Sequence, residues 1–175
     1  MKKHLLFIFA IFITITLSTA LYAENEVTVR FHNFSWGTSL DAFKARMGNP
    51  VHVEEQNGLQ SLVYENISIA GFRAFMVVYF SRNGLEGGVY YFDTNNLEEL
   101  MMCYATVQRE LVEQFGPTPP PPSGLYEILM REMRTYETSW NLPSGYVYLK
   151  VNTRTNDPVT LWYSSPALTR QLHGN

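Results

Sequence analysis

Phe72-Arg73-Ala74-Phe75-Met76-Val77-Val78-Tyr79-Phe80-Ser81-Arg82-Asn83-Gly84-Leu85-Glu86-Gly87-Gly88-Val89-Tyr90-Tyr91-Phe92 reads as two strands around a tight turn. Both runs are rich in aromatic and β-branched residues, and Asn83-Gly84 tolerates the positive φ that short hairpin turns demand. A two-residue turn at Asn83-Gly84 predicts Tyr79 opposite Gly88, Val77 opposite Tyr90 and Phe75 opposite Phe92. By alternation these share one face with Arg73 and Glu86. The other face carries Met76, Val78, Phe80, Val89 and Tyr91 and has no charge until the strands end, so it is the face predicted to meet helices.

The flanks supply those helices. Upstream, Val27 to Phe34 alternates and predicts a short strand. Thr38 with Asp41 has capping-box spacing, Leu40, Phe43 and Met47 recur at helical intervals, and Gly48 with Pro50 ends a helix of two to three turns. Glu54-Glu55 falls in a loop, and Leu59 to Asn66 alternates as a strand. Downstream, a longer helix starts near Asn96. Its apolar stripe is Leu97, Leu100, Met101, Tyr104, Val107, Leu111 and Phe115, and Gly116-Pro117 closes it. Cys103 lies beside the stripe and reads as a half-buried small apolar side chain. The proline run from Pro117 to Pro122 predicts a stiff extended loop. Leu125 to Met133 reads as a short helix. Thr135 to Leu142, Tyr146 to Val151 and Val159 to Ser164 read as strands.

The order is helix, three strands, helix, three strands, as an internal duplication would give. The expectation is an α+β fold: two tandem helix–three-strand repeats, about 34–93 and 94–166. They form a six-stranded antiparallel sheet with helices packed on one face.

Residues 1–23 stand apart. Lys2 and Lys3 precede an apolar run from Leu5 to Leu17, and Ser18 to Ala23 ends in a small residue, the layout of a secretory signal peptide. The apolar run is short of the ~20 residues a spanning helix needs. Cleavage near Ala23 would leave a single domain, 24–175, periplasmic or secreted, with no stable membrane span. Loss of Lys2 and Lys3 takes 13 basic residues to 11 against 16 acidic, a balance of −5. That acidity argues against a nucleic-acid partner. A 46% hydrophobic composition argues against disorder, and the single cysteine excludes a disulfide scaffold.

Gly37-Thr38-Ser39, Phe43 and Met47-Gly48-Asn49-Pro50 spell G-x-[ST]-x3-apolar-x3-[L/M]-G-x-P. This pattern, followed by an aromatic strand, resembles the SmpA/OmlA-like outer-membrane assembly family and the tandem-repeat fold of the β-lactamase inhibitory proteins. The resemblance implies a protein-binding scaffold of that shape. The chain departs from the assembly proteins in having no cysteine at the leader's end, and from the inhibitors in having no second cysteine for a disulfide.

No residue pattern selects a catalytic or metal site. His32, His52 and His173 lack ligand spacing, and Glu98-Glu99 sits in a helix's first turn, where carboxylates favour the dipole. Gly84-Leu85-Glu86-Gly87-Gly88 lacks the strand-to-helix setting of a phosphate loop. The expectation is therefore a non-enzyme without cofactor or metal. It binds another envelope or extracellular protein through a face carrying Phe75, Tyr79, Tyr90, Phe92, Tyr146, Tyr148 and Trp162, framed by Arg73, Glu86 and Lys150. A homodimer through that face is a second expected use. The alternative class is a small-ligand or glycan binder, or a hydrolase of envelope polymer, using the same rings.

Overall fold

The structure, a computed structural model, describes residues 27–132, 135–153 and 159–173; the expected leader and its cleavage point lie outside them. The fold is α+β, with one seven-stranded antiparallel sheet and a few helices. The strands are β1 (His52–Gln56), β2 (Leu59–Ile69), β3 (Phe72–Ser81), β4 (Gly84–Phe92), β5 (Thr135–Leu142), β6 (Gly145–Asn152) and β7 (Val159–Ser164). Their spatial order is β1-β2-β3-β4-β7-β6-β5, so two meanders meet edge to edge where β4 pairs with β7.

The sequence does not predict β1, where Glu54-Glu55 reads as a loop. Asn57 and Gly58 both take positive φ, 54° and 77°, and this tight turn folds β1 back on β2. All five residues of β1 are exposed. The expected strand at Val27 to Phe34 is instead an irregular segment. It contains one tight turn, in which the Phe31 and Phe34 backbones exchange hydrogen bonds around His32 and Asn33 at positive φ.

Helix α1 (Leu40–Met47) is capped by Ser39, which accepts from the Ala42 N–H, and not by Thr38, whose hydroxyl donates to the Ser35 carbonyl. Helix α2 (Leu97–Phe115) begins as its sequence predicts. The Asn96 side chain accepts from the Glu99 N–H at 2.9 Å, and Gly116 follows the last turn. Cys103 on α2 is fully buried, not half-buried. Helix α3 (Leu125–Glu132) follows the proline loop.

These three helices and residues 27–36 pack on one sheet face. That face is lined by Leu62, Tyr64, Ala74, Met76, Val78, Phe80, Tyr90, Phe92, Val147, Leu149, Val151, Val159 and Leu161. Phe43 of α1 meets Phe34, Tyr64 and Phe80, while Tyr104 of α2 hydrogen-bonds Thr138 of β5.

The expectation of helices on a single face fails at the C-terminal end. Helix α4 (Pro166–His173) lies over the other face: a Cβ added at Gly87 would sit 2.6 Å from Leu168. Ser165 caps α4, accepting from the Leu168 N–H at 3.0 Å, and Pro166 occupies the first helical position.

Candidate functional site

The central hairpin turns at Arg82-Asn83, so its first pairs stand two residues from the register expected for an Asn83-Gly84 turn and the ladder beyond the bulge one residue from it. Ser81 pairs with Gly84 and Phe80 with Leu85, then a bulge at Glu86 resets the ladder to Tyr79 with Gly87, Val77 with Val89 and Phe75 with Tyr91. The cause is tertiary. The Leu85 N–H donates to the Thr38 carbonyl and the Leu85 carbonyl accepts from the Gly37 N–H, each at 2.9 Å. Leu85 thus pairs with the segment before α1, and Glu86 becomes an extra residue. Gly84, at φ +97°, permits this approach, because a Cβ there would lie 2.4 Å from the Gly37 oxygen.

Beyond the bulge, a shift of one residue reverses the side chains of β4 relative to β3. Tyr90 and Phe92, expected on the aromatic face, are core residues 3% and 2% exposed. Tyr91, expected against the helices, is on the aromatic face with Phe75. Val89 also points to that face, yet it is fully buried among its neighbours. Glu86, expected as part of a polar frame, is buried. Its carboxylate accepts from Ser81 Oγ at 2.9 Å and from Ser165 Oγ, so it joins the hairpin to the cap of α4. Phe75, Tyr79, Tyr146, Tyr148, Lys150 and Trp162 do share the face, and Arg73 stands exposed at its end, paired with Asp93.

The resulting surface is a set of ring contacts across β3, β4, β7 and β6. Phe75 stacks on Tyr91 with centroids 4.7 Å apart and planes 13° apart. Tyr79 meets Trp162 at 5.4 Å, Trp162 lies near-parallel to Tyr148 at 6.4 Å and 21°, and Tyr148 meets Tyr146 at 5.9 Å. All six rings are half-buried, which leaves part of each in contact with solvent. Burial pushes the Tyr79 phenol up to about 12, reinforced by Tyr91 and Tyr148. Burial also raises Tyr148, with Glu137, Tyr91 and Tyr146 adding to it. These hydroxyls therefore stay neutral throughout the physiological range.

Two clefts flank the rings. One, of about 340 Å³, is lined by Glu137, Tyr146, Tyr148, Trp162, Ser164 and the exposed Leu172 of α4. The other, of about 460 Å³, lies at the opposite end of the face, where Glu65, Asn66, Arg73, Phe75 and Asp93 meet. Glu65 and Asn66 form a bulge in β2, with Asn66 at φ 57°. Lys150 and Glu137 stand 3.8 Å apart.

The sequence reading missed Tyr91, the Glu65–Asn66 bulge and the wall supplied by α4. A signal for α4 was present in Ser165-Pro166, an N-cap followed by the favoured first-turn proline. The other two depend on pairing that is not local.

Away from this face, His32 Nδ1 and the Tyr90 hydroxyl hydrogen-bond at 2.9 Å. Burial, aided by Arg46, lowers the His32 pKa. Cys103 is held as a thiol, its pKa pushed up to about 12 by burial and then by Glu99, the opposite of a reactive cysteine's setting. Among the described residues no cluster of His, Cys, Asp and Glu could hold a metal ion, and no helix is long and apolar enough to cross a membrane.

No protein-family model matches the chain, and none of the curated proteins matches it. Among solved structures it is similar to a DUF4309 family protein, YjgB, of Bacillus subtilis. The TM-score is 0.44 and the identity 10%, over 75% of this chain and 81% of that one. It is also similar to a cysteine-rich secretory protein, SAV1118, of Staphylococcus aureus, with TM-score 0.44 and 10% identity over 78% of this chain and 47% of that one. An extracellular protein containing an SCP domain from Bacillus anthracis gives TM-score 0.43 and 12% identity, over 83% and 50% of the two chains. This chain thus spans about half the length of the latter two.

Proposed function

We propose that this chain is an exported, non-catalytic binding module that holds another extracellular or envelope protein against the aromatic face of its sheet. The observation that carries this reading is the run of ring contacts Phe75–Tyr91 and Tyr79–Trp162–Tyr148–Tyr146, on the face that α1, α2 and α3 leave uncovered. Tyrosine and tryptophan concentrate binding energy at interfaces because they bury much area with few rotatable bonds. Export rests on the leader-like residues 1–23. The duplication reading is supported by the two meanders on either side of the β4–β7 seam, with α1, ending at Gly48, before the first, and α2, ending at Gly116 and followed by α3, before the second.

The test is retention of a partner from the native envelope by the wild type and by Tyr148→Ala and Trp162→Ala. A partner held by the wild type and lost from both variants, with melting temperatures maintained, supports the reading. Equal retention by all three refutes it.

A second reading has one observation in its favour. Tyr148 and Trp162 lie within 21° of parallel beside a cleft carrying Glu137, an arrangement suited to stacking the apolar face of a sugar. Saturable thermal stabilisation by glycan fragments would select it.

A further inference from the structure

We propose that the partner contacts this face with a basic, extended segment of protein chain whose lysine or arginine side chains lie over the rings; the inference rests on the reading of the aromatic face as the binding surface. Phe, Tyr and Trp ring faces attract cations through their quadrupoles, most strongly where water is partly excluded. Half-buried rings provide that setting.

The face's own cations are already engaged, Arg73 by Asp93 and Lys150 by Glu137. Glu65 lines the cleft beside Phe75 and has no ion-pair partner among the described residues. Glu54 stands opposite Ser61, which stands opposite Tyr79. The strands of the face therefore carry Glu54, Glu65, Asp93 and Glu137 against Arg73 and Lys150, and with the exposed Arg170 of α4 counted the balance is still negative, four carboxylates to three cations. A second copy of this chain would bring like charge against like, which disfavours self-association through this face.

The spacing sets the segment's form. Phe75 is level with Lys150 through Tyr91 and Thr160, and Tyr148 lies two residues further along β6, so three strand steps of ~4.8 Å and two residues of ~3.4 Å put Phe75 and Tyr148 about 16 Å apart. An extended chain advances ~3.4 Å per residue, so side chains at i and i+4 on one side of it stand ~14 Å apart, and the length of a lysine or arginine side chain covers the remaining ~2 Å. Glu65 lies on β2, one strand beyond Phe75, and Glu137 on β5, one strand beyond Tyr148. Each ring position thus has a carboxylate just outside it. The phenols of Tyr79 and Tyr148 stay neutral, so the rings contribute polarisable faces and hydroxyl acceptors without charge.

The experiment titrates the full chain with synthetic extended peptides carrying lysine at i and i+4, glutamate at the same places, or threonine at both. Titrations run in ~0.01 M and ~1 M salt. The lysine peptide should bind at low salt and weaken by about tenfold or more at high salt, and the glutamate peptide should not bind. Glu65→Gln and Glu137→Gln should each weaken the lysine peptide by about threefold or more while leaving the melting temperature unchanged. If lysine and threonine peptides bind alike and Tyr148→Ala abolishes both, the face is a binding surface and the charge inference is wrong. If Tyr148→Ala and Trp162→Ala leave lysine-peptide binding intact, the reading of the face itself fails. Absence of binding by every peptide, or binding by a chitin oligosaccharide alone, overturns the inference.

Discussion

Replacing Tyr90 and Tyr91 separately by alanine tests the hairpin register, on which the identity of the aromatic face depends. Tyr90 is 3% exposed, stacks on Phe31 at 4.9 Å, meets Tyr163 edge-on at 6.3 Å and bonds His32 Nδ1 at 2.9 Å. Truncating a buried aromatic removes its transfer free energy and leaves a cavity, together ~3–5 kcal/mol. That is a large part of the ~5–15 kcal/mol by which domains are stable. Tyr90→Phe keeps the ring and loses only the hydroxyl bond, for about 1 kcal/mol. Tyr91 is half-buried and stacks on Phe75 at 4.7 Å, so Tyr91→Ala should cost about 1–2 kcal/mol, mostly the ring pair and partial burial. Urea unfolding followed by tryptophan fluorescence and far-UV circular dichroism, with unchanged m-values, reads these differences. In a domain of this size each kcal/mol moves Tm by ~2–4 °C, so Tyr90→Ala should melt roughly 6–20 °C early. The Asn83-Gly84 register predicts the reverse order. If Tyr91→Ala costs as much as Tyr90→Ala or more, the bulge at Glu86 is wrong.

Gly88→Ala should be destabilising by about 1–3 kcal/mol, since its Cβ would lie 2.2 Å from the Phe31 ring, and a thermal melt within 1 °C of wild type would count against the position of residues 27–36. Glu86→Ala should cost about 1–3 kcal/mol and raise hydrogen exchange in α4, because the Ser81 and Ser165 hydroxyls lose their acceptor; unchanged exchange there would refute the tie between hairpin and helix. Tyr79 and Tyr104 are both raised to about 12 in the fold, so the stability they contribute is complete below pH 10 and lost as pH climbs toward 12. Tyrosinate absorbance should accordingly rise in two stages, the second coinciding with loss of circular dichroism. His32 is lowered in the fold, so its contribution is present above pH 6.5 and lost as pH falls through its folded value. Acid unfolding followed by fluorescence should be shifted in Tyr90→Phe, which lacks the phenol that His32 bonds.

Local chemistry was legible wherever a side chain acts on its own backbone or its nearest turn. The Asn96 cap, the glycines that end α1 and α2, the stripe from Leu100 to Phe115 and the alternation of β3 and β7 all appear in the structure where the residues place them. Alternation likewise groups Phe75 with Tyr79 on β3 and Tyr146 with Tyr148 and Lys150 on β6, whereas bringing these sets and Trp162 onto one face takes the pairings through β4 and β7. The residues alone therefore specify an α+β chain with an antiparallel sheet and the aromatic sets of its single strands. Which residues of β4 complete that surface was a tertiary decision. Gly37 and Thr38, far from the hairpin in sequence, take the hydrogen bonds of Leu85, force Glu86 out as a bulge and exchange Tyr90 for Tyr91. The place of α4 was decided the same way, by Leu168 against Gly87 and Ser165 against Glu86. A strand's period of two makes its own faces readable, but a single backbone contact from elsewhere in the chain selects which face meets the core.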